Sequence, residues 1–280
     1  MSAAELGIFA RVFPAGPADV VANGIREAGY TTTQLNLKAV GLPTLPEAGE
    51  WPQLDLGRIT DAFAAAGVTI WGVSATYNMC HPDAGIRRAG TTRALGVIAH
   101  ARVLGAQVVT LCTGSRDSTN MWAPHPDNRT AEAWRDFRGE LSLLIEAAAQ
   151  AGVRLGIEPE TGAVVDNAAT TQRLLTELGA DSSLLGVVLD SANLLKGTTG
   201  SQHDILTEAF TSLGAHIVGL HAKDTRGWDA ALDGHGEVDF RLVGRLRRDH
   251  APDAPVIVQD IDPDRASNAR RYVEDAINAR

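Results

Sequence analysis

Two cysteines, Cys80 and Cys112, are all that the 280 residues contain. They lack Cys-x-x-Cys spacing and are too few for a disulfide framework, so they read as reduced thiols in a reducing compartment. Long hydrophobic runs are missing too: no stretch approaches the roughly 20 apolar residues that span a bilayer. The stretch from Met1 to Phe13 has no basic region followed by an apolar core, which disfavours secretion. A cytoplasmic protein with no membrane partner is the expectation. Positive charge is scarce, with 25 Lys and Arg against 34 Asp and Glu, a net charge of −9. Without a basic stripe, nucleic acid finds no electrostatic footing. Neither a low-complexity tract nor a domain linker divides the chain, and residues 13–18, Phe-Pro-Ala-Gly-Pro-Ala, are not the glycine-rich phosphate loop that usually follows the first strand of an open doubly wound sheet.

What is present is a folded chain with a repeated junction. Hydrophobic residues at 44% and charged residues at 21% are near the globular average and suffice for a sizeable core, so residues 1–280 are expected to form one domain. An amphipathic stretch, a glycine and a short β-branched run recur at Gly29, Gly67, Gly105, Gly152, Gly179 and Gly214. Glycine suits the left-handed position that ends a helix, so each junction reads as helix, cap, strand. Behind Thr130 as N-cap, Trp134, Phe137, Leu141, Leu144 and Ala148 recur at helical spacing. The strands read as Leu6 to Phe13, Tyr30 to Leu37, Val68 to Ala75, Val108 to Thr113, Arg154 to Glu158, Leu185 to Asp190, Ile217 to His221 and Pro255 to Gln259. Runs such as Val187-Val188-Leu189 suit strands buried on both faces, and eight of them alternating with helices predict an α/β (β/α)8 TIM barrel, a parallel barrel inside a ring of helices. The longest insertion, residues 114–129, follows the fourth strand and is expected to form a loop over the C-terminal mouth.

In such a barrel the chemistry sits where strands end. The last four strands end on Glu158, Asp190, His221 and Gln259. Two carboxylates, an imidazole and an amide carbonyl converging on one point suit a divalent metal that accepts mixed oxygen and nitrogen ligands: Mn2+ first, with Mg2+ or Co2+ as alternatives and zinc less natural.

At these residues the chain resembles the sugar-phosphate isomerase/epimerase family, the xylose-isomerase-like barrels that include ketose 3-epimerases, inosose dehydratase and, more distantly, endonuclease IV. The resemblance rests on Tyr77-Asn78-Met79-Cys80-His81-Pro82, Leu111-Cys112-Thr113-Gly114, Gly156-Ile157-Glu158-Pro159-Glu160, Leu189-Asp190-Ser191-Ala192-Asn193-Leu194 and His221-Ala222-Lys223-Asp224. It implies a metal shell of Glu158, Asp190 and His221, with Gln259 where the ketose 3-epimerases carry a second glutamate. Those epimerases are thought to use the two glutamates as opposed acid and base. An amide keeps a carbonyl for the metal and transfers no proton, so a one-base enolisation by Glu158 fits better. Asp260 follows Gln259, but strand alternation points it the other way. The leading expectation is a metal-dependent isomerase or epimerase of a small-molecule carbohydrate, an unphosphorylated one in preference because no Arg/Lys cluster clamps a phosphate. The alternative is a lyase or dehydratase that eliminates a group β to a ketone, of the inosose or 3-keto-glycoside type.

His81 and His235 are further candidate proton carriers. Asn193, Lys223, Asn78 and Trp122 are candidate substrate contacts. Each has a plainer reading: Asn193 as a helix N-cap, Lys223 as the rim partner of Asp224, His235 as part of a tight glycine loop, and Trp122, with His125 and Arg116, as packing for the long loop or for a second copy of the chain.

Overall fold

The computed structural model describes residues 4–224 and 232–279. Its strands are Leu6–Phe9 (β1), Thr32–Leu35 (β2), Thr69–Ser74 (β3), Val108–Cys112 (β4), Arg154–Glu158 (β5), Leu185–Asp190 (β6), Ile217–Ala222 (β7) and Val256–Val258 (β8). They pair in parallel and in chain order. Closure comes from β8 lying against β1, with Leu6, Gly7 and Ile8 opposite Val256, Ile257 and Val258. The helices among the described residues are Ala18–Glu27 (α1), Leu56–Ala65 (α2), Ala84–His100 (α3), Ala131–Ala151 (α4), Ala168–Leu178 (α5), Ser191–Leu195 (α6), Gln202–Leu213 (α7), Phe240–His250 (α8) and Ala266–Asn278 (α9). This is the eight-stranded parallel barrel the alternation implied.

Local sequence explains the elements. Strands β4, β6 and β8 are buried along their whole length, as apolar runs enclosed between barrel interior and helices must be. Short polar side chains start the helices: Asp55, Asp83, Thr130, Asn167 and Asp239 each accept a hydrogen bond from the first turn of the helix that follows. In α4 the apolar stripe from Trp134 to Ala148 is buried, and Gly152 closes the helix at φ 65°.

Three expectations need correction. The first strand stops at Phe9, because Ala10–Val12 turns into a 3-10 helix closed by Phe13 N–H donating to the Ala10 carbonyl. The second is shorter at both ends, and Asn36 caps a 3-10 turn over Leu37–Val40. Gly214 lacks the positive φ of the other five junction glycines: it is right-handed, and a Cβ there would lie 2.8 Å from the His250 carbonyl oxygen. Close approach of α8, not backbone sign, explains that glycine.

A buried ionic network ties the outer helices to the segment after β4. Arg87 of α3 lies 3.1 Å from Asp136 and 3.6 Å from Glu140, both on α4, and Arg116 donates to Asp136 at 2.7 Å. Thr91 donates to Glu140 at 2.6 Å and meets the Tyr77 hydroxyl.

Candidate metal centre

Because all eight strands run in one direction, their C-terminal ends share one rim. Glu158 ends β5 and Asp190 ends β6, while His221 sits opposite Asp190 in the β7 register. One ligand atom from each of Glu158, Asp190 and His221 falls within 4.8 Å of the others. Gln259 lies just past β8 and keeps the ladder by donating its N–H to the Ala222 carbonyl at 3.0 Å. Its side-chain Nε2 donates to Asp190 Oδ2, also at 3.0 Å. A half-turn of the amide would bring its carbonyl oxygen to the same place, which a cation there would favour and the carboxylate alone does not.

The orientation of His221 is the most telling detail. Its Nε2–H donates to Gln34 Oε1 at 2.8 Å, and Gln34 is held in turn through Nε2, which donates to Thr110 Oγ1 at 3.0 Å. That relay leaves Nδ1 facing the carboxylates. Nδ1 is buried and has no hydrogen-bond partner, although Glu158 Oε1 is 3.2 Å away. A buried nitrogen beside a carboxylate yet off its hydrogen-bonding line is what two ligands aimed at a third body produce. The donor set therefore fits a divalent cation, with Gln34 orienting the imidazole from behind.

Electrostatics agree. Burial raises the Asp190 carboxyl above the usual range, and the neighbouring Glu158 adds to it against the pull of Lys223. Burial also opposes charge on Glu158, but His221, Lys223 and Arg11 outweigh it and hold that carboxyl below the ordinary range. For His221, burial disfavours the imidazolium, yet Glu158 and Asp190 reverse the sign and raise it. Burial, with the Glu158 charge second, lifts Glu160 to about 7. Buried carboxylates and an imidazole thus share one proton-sensitive cluster in which each group's ionisation is set by its neighbours.

Of the residues singled out from the sequence, six meet here. Besides Glu158, Asp190, His221 and Gln259, Asn193 donates Nδ2 to Glu158 Oε1 at 2.8 Å while its backbone N–H is capped by Asp190 Oδ1 at 3.0 Å. Lys223 Nζ is 3.3 Å from Asp190 Oδ2 and 3.8 Å from Asp260 Oδ2. The expected Lys223–Asp224 pair is replaced: Lys223 turns to the site, and Asp224 accepts from Glu237 N–H at 2.6 Å.

The other candidates are placed differently. Asn78 has its amide engaged at both ends, donating to the Ser115 carbonyl at 2.8 Å and accepting from Ser115 N–H at 3.0 Å and Cys80 N–H at 3.1 Å. It anchors the loop after β4 rather than offering a free amide to a sugar. His81 accepts from Asp83 N–H at 3.0 Å, which leaves Nε2–H to donate to the Ser118 carbonyl at 3.2 Å. Both ring nitrogens thus serve the backbone. Trp122 is 44% exposed, and its carbonyl packs against Gly162, where a Cβ would come within 2.8 Å. His235 is exposed on the segment 232–239, with its N–H donating to Asp233 Oδ1 at 3.0 Å. An open groove of about 930 Å³, lined by His125, Trp134, Gly162 and Arg173 among others, lies beside the loop and contains none of the four ligand candidates.

Sequence reasoning missed Gln34, Arg11 and Glu160. Gln34 had one signal, a polar side chain with strand spacing in the run Thr-Thr-Gln-Leu, where a buried amide needs partners.

The profile of the family described as xylose isomerase-like TIM barrel matches residues 24–278. No curated protein matches the sequence. Solved structures do match in fold: an L-ribulose 3-epimerase at 17% identity, covering 98% of this chain and 94% of its own with a TM-score of 0.78; a 3-keto-D-glucoside 4-epimerase from E. coli, apo form, at 12% identity, 96% and 98% coverage and TM-score 0.76; and a xylose isomerase-like TIM barrel protein from Mycobacterium smegmatis in complex with magnesium, at 14% identity, 100% and 99% coverage and TM-score 0.72.

Proposed function

Given that the chain belongs to the xylose isomerase-like TIM-barrel family, we propose that it is a divalent-metal-dependent isomerase or epimerase that enolises a sugar or related keto-polyol. The observation that carries this reading is the convergence of Glu158, Asp190 and His221, one ligand atom of each lying within 4.8 Å of the others at the ends of three successive strands. The fold likeness to an L-ribulose 3-epimerase and a 3-keto-D-glucoside 4-epimerase supports the substrate class. Glu158, Asp190 and His221 would hold the metal, with the Gln259 carbonyl as the fourth ligand. Mn2+ suits this mixed shell best, with Mg2+ and Co2+ as alternatives. When bound, the cation supplies Lewis acidity that polarises the substrate ketone.

The remaining work falls to the chain. Glu158, kept ionised by its cationic neighbours and steadied by Asn193, removes the proton α to the ketone. Lys223 places positive charge beside the developing enediolate. Asn193 and Lys223 position substrate hydroxyls. The loop 114–129 with Trp122 acts as a lid over the mouth, held at its base by Asn78. His81 and His235 are kept as candidate proton carriers, although both ring nitrogens of His81 hydrogen-bond the backbone. Gln259 removes one half of an acid–base pair, which favours a second reading, a lyase that returns no proton and instead expels a group β to the ketone.

The test begins with elemental analysis of the purified protein, then incubation with D-fructose, L-ribulose and a 3-keto-glucoside in D2O, scored by mass and NMR. Deuterium in an epimer, lost in Glu158→Gln, is the expected result. Elimination product without epimer supports the lyase, and neither a bound nor an activating metal overturns both readings.

A further inference from the structure

Three neighbouring strands, β7, β8 and β1, bring a second group of charged side chains to the same rim. Arg11 lies two residues beyond β1, Lys223 one beyond β7 and Asp260 two beyond β8. Asp260 pairs with Arg11, and its Oδ2 is 3.8 Å from Lys223 Nζ. Strand alternation would turn Asp260 away from Gln259 and out of the mouth. It does not, because Asp260 has φ 55°, the one positive φ of a non-glycine residue among those described.

A left-handed aspartate is disfavoured, and partly exposed ion pairs repay little: the side chains of Arg11, Asp260 and Lys223 are 49%, 22% and 18% exposed. Stability alone therefore does not account for the turn, and strain of this kind concentrates at functional sites. The group also keeps unused hydrogen-bonding capacity. Arg11 has five N–H donors, Lys223 three, and the carboxylate has room for about four acceptances. Donors flanking a two-oxygen acceptor match adjacent hydroxyls, each of which donates once to the carboxylate and accepts once from a cation. Phosphate fits poorly, since Asp260 stands between the two cations.

We propose that Arg11, Asp260 and Lys223 form a substrate subsite that recognises a vicinal diol, set beside the Glu158–Asp190–His221 cluster so that the diol is held while the ketone faces the metal ligands. This rests on the enolising reading above and adds its specificity. The carboxylate that position 259 lacks is then supplied by position 260, for binding in place of metal ligation.

The experiment compares wild type with Asp260→Asn, Asp260→Gly and Arg11→Gln. Asparagine and glycine both tolerate positive φ, so the backbone turn survives. Calorimetry measures Mn2+ affinity first, then L-ribulose, which has vicinal hydroxyls beside its ketone, and dihydroxyacetone, which has none. The expected result is at least a tenfold loss of L-ribulose affinity in both Asp260 variants with unchanged dihydroxyacetone and Mn2+ affinities, and a smaller loss of L-ribulose affinity in Arg11→Gln. Unchanged L-ribulose affinity overturns the subsite. Equal losses for both ketones also overturn it, since they locate the effect at the metal ligands. Wild type that binds Mn2+ but not L-ribulose counts against the subsite while leaving the metal centre standing, whereas wild type that binds no Mn2+ counts against the enolising reading itself.

Discussion

Replacing Gln259 by glutamate restores a carboxylate to the eighth strand and separates a metal centre from a merely polar cluster. The Gln259 amide donates to Asp190 Oδ2 at 3.0 Å. Glutamate would put a second negative charge there. Two unit charges about 3 Å apart repel by about 5 kcal/mol at an effective dielectric of 20. The protein can avoid that by protonating one of them, which at pH 7 costs about 4 kcal/mol for a carboxyl of ordinary pKa near 4.3. The smaller cost wins, leaving a destabilisation of about 4 kcal/mol. At ~2.1 cal/mol/K per residue, 280 residues give an unfolding entropy of ~0.6 kcal/mol/K, so the melting temperature in EDTA should fall by about 7 °C. Saturating Mn2+ should abolish the difference, and Mn2+ should bind at least tenfold more tightly to Gln259→Glu than to wild type. Differential scanning fluorimetry and calorimetry read both. An equal drop in melting temperature with and without Mn2+, at unchanged Mn2+ affinity, would refute the placement of position 259 on the metal.

Glu160 should make stability fall with pH: its carboxyl is raised to about 7 in the fold, so its favourable neutral state is fully present below about 4.5 and is lost as pH rises through 7. The full shift corresponds to about 3 kcal/mol, and Glu160→Gln in EDTA should flatten urea-derived stability between pH 5 and 7 relative to wild type; parallel profiles would contradict the assignment. Asn193→Ala removes the amide that steadies Glu158 and should weaken Mn2+ binding by about tenfold, since partners of ligands typically contribute 10–100-fold. Calorimetry giving the wild-type value would leave Asn193 only its place in the first turn of α6, where Asp190 is the cap. Asp136→Asn leaves Arg87 and Arg116 buried without their shared carboxylate and should cost about 3 kcal/mol, with faster proteolysis within 114–129; an unchanged cleavage rate would show that the network does not hold that loop.

The barrel was legible because its signals are local. An apolar run between a glycine and a polar residue marks a buried parallel strand wherever it occurs, and all eight were found, with errors only at ends such as Phe9, where the chain turns rather than extends. Glu158, Asp190 and His221 were legible for the same reason, as polar residues closing such runs. The rest depended on facts no neighbouring residue encodes. Gln34 acquires its role from His221, 187 positions away, and nothing in Thr-Thr-Gln-Leu announces that partner. Asp260 was set aside on strand alternation, a sound rule that one positive φ reverses. Lys223 was paired with the residue beside it because sequence proximity stood in for direction, whereas adjacent residues past a strand end point to different sides.

Closure of β8 onto β1 has a consequence for biosynthesis. Arg11 and Asp260, partners across 249 positions, cannot meet until residue 260 has left the ribosome. Glu158, Asp190 and His221 exist together well before that, on a partial sheet whose outer strands β1 and β7 offer unpaired backbone to other chains. The last short strand, Val256–Val258, caps both exposed edges at once and completes the rim in the same event. Maturation of the site and protection from aggregation are thus one step, taken when β8 is made, and a chain stalled before residue 256 would carry Glu158, Asp190 and His221 without a barrel to shelter them.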